Sequence, residues 1–142
     1  MVVQGDLAID DRGSLRFVND FDLRKYRRFY IVESHRSEFI RAWHGHKVEG
    51  KAFVVTRGSA LIGAVQIDDW DTPNPEAFVD RVVLSAGKPS VFVVPQGYAN
   101  GLMTLSADTQ VLVFSTMLLA DAIGDDFRFP ARHWDIWTVD ER

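Results

Sequence analysis

Two imidazoles and an ammonium group fall close together in RAWHGHKVEGKAFVVTRGSA, residues 41–60. His44 and His46 stand two apart, Lys51 follows a Val48-Glu49-Gly50 turn, and Gly58 closes an Arg57-Gly58-Ser59 corner. On a strand, residues two apart share a face. His44 and His46 therefore project together, and Arg41 takes the opposite parity unless a bulge intervenes. A His-x-His pair is a frequent metal-ligand pattern, and Glu49 could add a third donor. Lys51 argues against that use, because an ammonium ~4 Å from a divalent ion costs about 8 kcal/mol at an effective dielectric of about 20.

Metal-free chemistry suits the set better. A neutral imidazole, with an ordinary pKa of about 6.5, removes a proton at neutral pH. A nearby Lys51 lowers that pKa and stabilises an oxyanion as it develops. Base plus fixed cation is what proton abstraction beside a carbonyl requires, since the enolate forms only where donors hold its oxygen. Losing one such donor typically costs about 3–4 kcal/mol of transition-state stabilisation. The expectation is a site with no metal and no organic cofactor.

The elements that must position these groups are short strands. Candidate strands are 15–20, 27–34, 38–46, 51–57, 59–68, 76–85, 90–95, 99–105 and 109–116. Turn-forming residues separate them: Glu49-Gly50, Arg57-Gly58, Thr72-Pro73-Asn74-Pro75, Gly87-Lys88-Pro89 and Pro95-Gln96-Gly97. Several runs are rich in Val, Phe and Ile, as half-buried pleated surfaces prefer. One short helix is predicted over 116–123, and Asp68, Asp69 and Trp70 read as loop. Trp134 and Trp137 in the tail serve packing or a dimer contact rather than catalysis. The pattern predicts an all-β single domain over 1–142, a small barrel whose mouth can gather side chains on one ligand.

Composition narrows the classes. A net charge of −4 gives no basic face for nucleic acid, although Arg24-Lys25-Tyr26-Arg27-Arg28 could hold a small phosphorylated ligand. The chain has no cysteine, which excludes disulfides, thiolate ligands and a cysteine nucleophile. No signal-peptide core or membrane-length apolar run is present, so the expectation is a soluble, cytoplasmic protein without a membrane partner.

The spacing is similar to the first signature of the cupin superfamily, a jelly-roll barrel: His44-x-His46, four residues, position 51, six residues, Gly58. Position 51 is commonly a glutamate ligand there. The second signature resembles PQGYAN, with Pro95 and Gly97 in place and Asn100 where a histidine is expected. Only two of four ligands remain. RGSLRF (12–17), RRFYIV (27–32), RAWHGHK (41–47), GKAFVVTRGSA (50–60) and PQGYANG (95–101) together resemble the cupin enzymes of nucleotide-activated 4-keto-6-deoxy sugars. These are the dTDP-4-dehydrorhamnose 3,5-epimerases and the dTDP-4-keto-6-deoxyglucose 3,4-ketoisomerases.

The resemblance implies a catalytic base at His44, a site lysine at Lys51 and a diphosphate contact at Arg41. The ketoisomerase pattern Arg-Gly-x-His-x-His-Lys is matched over Arg41–Lys47, so both histidines fall on His44 and His46. An Arg…Tyr pattern in the preceding strand matches Arg28 and Tyr30. The early Arg12-Gly13 often reaches a neighbouring subunit's site, which implies a homodimer. The expected substrate is a nucleotide sugar, in deoxysugar synthesis for surface polysaccharide.

Departures are equally specific. The epimerase tyrosine that protonates the opposite face has no counterpart in FSTMLLAD (114–121), which favours ketoisomerase chemistry unless Tyr30 or Tyr98 supplies the acid. The aspartate partner of the histidine has only Asp125, Asp126 and Asp135 as candidates. His46, Arg41, Tyr30 and Tyr98 each have a bland reading as structural, ion-paired or packing groups, and Asn100 either bonds the sugar or fills the slot of a lost histidine. His35 and His133 have no evident partner. The alternatives to an isomerase are a nucleotide-sugar-binding cupin without turnover and a metal-dependent oxygenase.

Overall fold

The computed structural model describes residues 1–142. Twelve strands, numbered in chain order, form two five-stranded antiparallel sheets and a hairpin. In the first sheet the order is β1 (Val2–Gln4), β9 (Ser90–Val94), β6 (Lys51–Arg57), β11 (Gln110–Ser115) and β4 (Arg28–Glu33). In the second it is β12 (Phe127–Arg128), β5 (Ile40–His46), β10 (Tyr98–Thr104), β7 (Ser59–Gln66) and β8 (Val79–Ser85). β2 (Asp6–Asp10) and β3 (Gly13–Phe17) pair only with each other, and the one helix, α1, spans Leu119–Ala122. This is the expected all-β jelly roll.

Period-two alternation builds the core between the sheets. Phe53 and Val55, Phe92 and Val94, and Val111 and Val113 point inward from the first sheet onto Ile62, Ala64, Leu84 and Leu102 of the second. A second cluster covers the other face of the second sheet. Trp43, Leu61, Val65, Ala99 and Met103 are buried there beneath Trp134 and Trp137 of the tail. The second sheet is thus buried on both faces, which is why SALIGAV and ANGLM read as nearly unbroken apolar runs. Of the two roles expected for the tail tryptophans, packing is the one observed, with Trp43 and Trp137 rings 5.1 Å apart.

Each of the nine predicted strands is present, most with trimmed ends. Four differences have local causes. β8 begins at Val79 rather than residue 76, because Ala77 N–H bonds Asn74 C=O in a turn after the two prolines. The helix shrinks to four residues, for Leu118 at its N-cap offers no side-chain acceptor. The β2–β3 hairpin extends from the sandwich with Ile9 and Leu15 exposed, and β2 has no buried residue to announce it. β1 and β12 are too short for a periodic pattern to register. Gly58, between β6 and β7, has φ +72°, and a Cβ there would lie 2.5 Å from Thr109 Oγ1. No helix is long and apolar enough to cross a membrane.

Candidate active site

The two sheets each contribute one wall of a cavity of about 440 Å³. Arg28, Tyr30 and Lys51 come from β4 and β6 of the first sheet, and His44 and His46 come from β5 of the second. A narrower recess of about 90 Å³ shares Tyr30, His44 and Lys51 and adds Arg41 and Asn100. Arg41 reaches it because the strand register slips. Asn100 pairs with His44 but Leu102 pairs with Arg41, so three steps on β5 face two on β10. That bulge reverses the expected parity and brings Arg41 to the face of His44. Gly45 between the histidines is also required, since a Cβ would meet Phe129 and Trp70 at 2.9 Å.

Glu49 is the hub of the site, with its side chain only 1 % exposed. Its Oε1 accepts from Arg28 Nη2 at 2.9 Å and from Ser115 Oγ at 2.5 Å. Its Oε2 lies 3.1 Å from His46 Nδ1 and 3.8 Å from Lys51 Nζ. Asp125 builds the turn carrying Glu49. Its carboxylate accepts the backbone N–H groups of Lys47, Val48 and Glu49 at 2.7, 2.9 and 2.8 Å. The Asp125 carbonyl is 2.5 Å from His46 Nδ1. A carbonyl can only accept, so Nδ1 carries the proton and Nε2 the lone pair.

Burial pushes the His44 imidazolium down to about 4, aided by the positive charges of Arg128 and Lys51. Burial and Lys51 lower His46 as well, against the opposing pull of the Asp125 carbonyl and Glu49. Both rings are therefore neutral at physiological pH. Lys51 is lowered by burial, which Glu49 partly offsets by favouring the ammonium. Burial, reinforced by Glu49, pushes the Tyr30 phenol up to about 12, so it keeps its proton. The pocket thus holds unprotonated imidazoles on one wall and a protonated phenol beside the Lys51 amine on the other.

The remaining expected residues fall in different places. Asn100 donates from Nδ2 to the His44 carbonyl at 3.1 Å, so its amide braces the β5 backbone. Tyr98 lines a different cavity with Met1, Gln66 and Phe92. Arg12, at the hairpin tip, pairs with Asp10 outside this chain's pocket. Arg28 is turned inward, with Nε bonding Met117 C=O at 2.9 Å besides its pair with Glu49. None of the candidate aspartates bonds His44. Asp125 caps the turn, Asp135 pairs with Arg132, and Asp126 lies on the pocket rim bound to Arg128 by two contacts of 2.8 Å. His133 Nε2 lies 3.1 Å from the Pro73 carbonyl, a structural contact. No three His, Asp or Glu side chains are arranged as metal ligands.

Glu49 enters the sequence reading only as a possible metal donor, not as a hub, and Arg128 at the rim and the apolar rim residues Leu119 and Ile123 were not picked out by sequence patterns. For Glu49 a signal exists, since it stands two residues before Lys51. For Arg128 none does.

By sequence, no family model and no curated protein matches the chain. By structure the likenesses are consistent. The rmlC epimerase of Mycobacterium tuberculosis superposes with a TM-score of 0.69 at 19% identity, over 82% of this chain and 62% of that one. The chain thus spans less than two thirds of that enzyme's length. The dTDP-4-dehydrorhamnose 3,5-epimerase of Bacillus anthracis, with TDP and PPi bound, gives 0.72 at 20% identity, over 88% and 75%. A 3,4-ketoisomerase of Helicobacter canadensis gives 0.68 at 17% identity and matches end to end, over 94% and 92%. The chain has the jelly-roll fold of these two epimerases and this ketoisomerase.

Proposed function

We propose that this protein is an isomerase of a nucleotide-linked 4-keto-6-deoxyhexose, with dTDP as the expected nucleotide. The observation that carries the reading is the meeting of neutral His44 with Lys51 and Tyr30 from the opposite wall of one cavity. His44 removes the proton from the carbon beside the ketone, and the C–H electron pair becomes the enolate double bond. Lys51 holds the negative oxygen. His46 relays or returns a proton to the neighbouring carbon through an enediol in ketoisomerisation, whereas epimerisation needs a proton delivered to the original carbon from the opposite face. Both imidazoles leave one strand and face the sugar from one side, which suits a proton carried between adjacent carbons. The absence of tyrosine from β11 supports the same choice. Tyr30, from the other wall, is the candidate acid for the opposite face.

Arg41 in the recess and Arg128 at the rim are the guanidinium groups offered to the diphosphate. Arg28 holds Glu49 and contributes positive charge from behind. Two such chains are proposed to act as a homodimer, because Ile9 and Leu15 on the hairpin and Phe29 and Ile31 on edge strand β4 are exposed apolar residues.

The test is incubation with a dTDP-4-keto-6-deoxyhexose in deuterated water. Deuterium should enter at C3 or C5, or at C4 of a 3-keto product, and His44→Ala should abolish that uptake while leaving dTDP affinity largely intact. Binding of the substrate without exchange would instead identify a nucleotide-sugar-binding protein. Loss of activity on exhaustive chelation would point to a metal-dependent cupin.

A further inference from the structure

A carboxylate as deeply buried as Glu49 is costly to desolvate unless it is fully paired. Its two oxygens are paired differently. Oε1 is anchored by Arg28 and Ser115, whereas Oε2 is turned to His46 and Lys51. His46 Nε2 is buried and has no hydrogen-bond partner within the protein, although the imidazole lines the cavity. An acceptor left open in this way is free for a proton from a ligand.

We propose that Glu49 is a positioning residue for proton transfer: with Oε1 clamped, its Oε2 sits beside the His46 Nδ1–H that the Asp125 carbonyl fixes, with Nε2 open, and supplies the counter-charge of both His46 and Lys51. Its kinetic consequence rests on the isomerase reading, while the protonation state of His46 does not. The arrangement links base and cation through one carboxylate. When His46 takes up a proton, the new charge forms beside Glu49 rather than in an apolar wall. When Lys51 bonds an enolate oxygen, Glu49 keeps the amine protonated.

The charged groups around the pair come from every neighbouring element. His46 is faced by Lys51 of β6, Glu49 and Asp125, and by His44 of its own strand and Asp126 at the rim. Lys51 is faced by Glu49, by Arg28 of β4, and by Asp126 and Arg128 at β12. Among these, Glu49 raises both His46 and Lys51, so removing its charge lowers both. The active form, with His46 neutral and Lys51 protonated, would then occupy a more acidic window.

Glu49→Gln keeps the side chain's shape and removes the charge. In protein carrying nitrogen-15 histidine, wild-type His46 should show a protonated Nδ1 and a bare Nε2 at neutral pH. Glu49→Gln should lower the His46 titration and move the pH window of deuterium exchange down by about one pH unit or more. It should also reduce kcat about tenfold or more, with KM little changed. Glu49→Asp, which restores the charge, should recover the pH window in part. Ser115→Ala keeps the charge but loosens Oε1, so it should reduce kcat with the window in place, and it serves if Glu49→Gln does not fold.

An unchanged His46 titration and pH window in Glu49→Gln, or equal behaviour of the Gln and Asp variants, would overturn the proposal. So would an unaltered kcat in Ser115→Ala. If the wild type exchanges no deuterium, the isomerase reading fails, and the histidine spectra still decide what Glu49 does.

Discussion

At the scale of single residues, the site is a set of groups whose ionisation is set by where they are buried. His44 is neutral because burial and two nearby cations oppose its charge, and no carboxylate bonds its ring. This has a consequence for stability. A group whose folded pKa is about 4, below its unfolded value of 6.5, favours the unfolded chain whenever it is protonated. Stability should therefore be full above pH 6.5 and should decline as pH falls toward about 4. Urea midpoints measured at several pH values should fall through this window, and His44→Gln should make the decline shallower. An identical pH slope in that variant would mean that His44 is not held neutral by the fold. The remaining slope belongs to His46, which burial also lowers.

At the scale of elements, the pocket depends on three local devices. The β5 bulge turns Arg41 to the histidine face, the cap by Asp125 shapes the 47–49 turn, and Glu49 follows from that turn. Asp125 makes these bonds from a segment 76 residues away from Glu49, after α1. Three amide donors would lose a charged acceptor in Asp125→Ala. The expected cost is about 2–3 kcal/mol, read as a lower urea midpoint with an unchanged slope. Because the Asp125 backbone carbonyl also holds His46, deuterium exchange should fall in the same variant. Stability equal to the wild type would show that the turn holds without its cap. Asp125, an expected candidate for the histidine's carboxylate partner, thus serves through its backbone carbonyl and through the loop.

At the scale of the whole molecule, one sheet is buried on both faces and the other is not. The tail closes the outer side of the second sheet with Trp134 and Trp137. The first sheet leaves Phe29 and Ile31 exposed on its edge strand, and the hairpin leaves Ile9 and Leu15. Such surface is what a second copy would cover. The chain of 16.1 kDa should sediment at twice that mass, and Phe29→Asp with Ile31→Asp should return it to the single-chain value. If the wild type sediments as a monomer, the homodimer and any role for Arg12 across it are excluded.

What the sequence alone determined is what depends on local rules. Alternating apolar residues marked the strands, glycines at 58 and 97 marked corners with φ of +72° and +83°, and His44, His46 and Lys51 pointed to the candidate site. Period and turn chemistry act over a few residues, so they can be read in one dimension. What only the tertiary structure decided is convergence: Arg41 turned by a register slip, Glu49 clamped between two sheets, Tyr98 sent to another cavity, and Arg128 brought to the rim by a two-residue strand. Those outcomes depend on pairings between segments far apart in the chain. A strand's own pattern says which face a residue takes, but not where its partner strand slips or which buried charge stands across the gap.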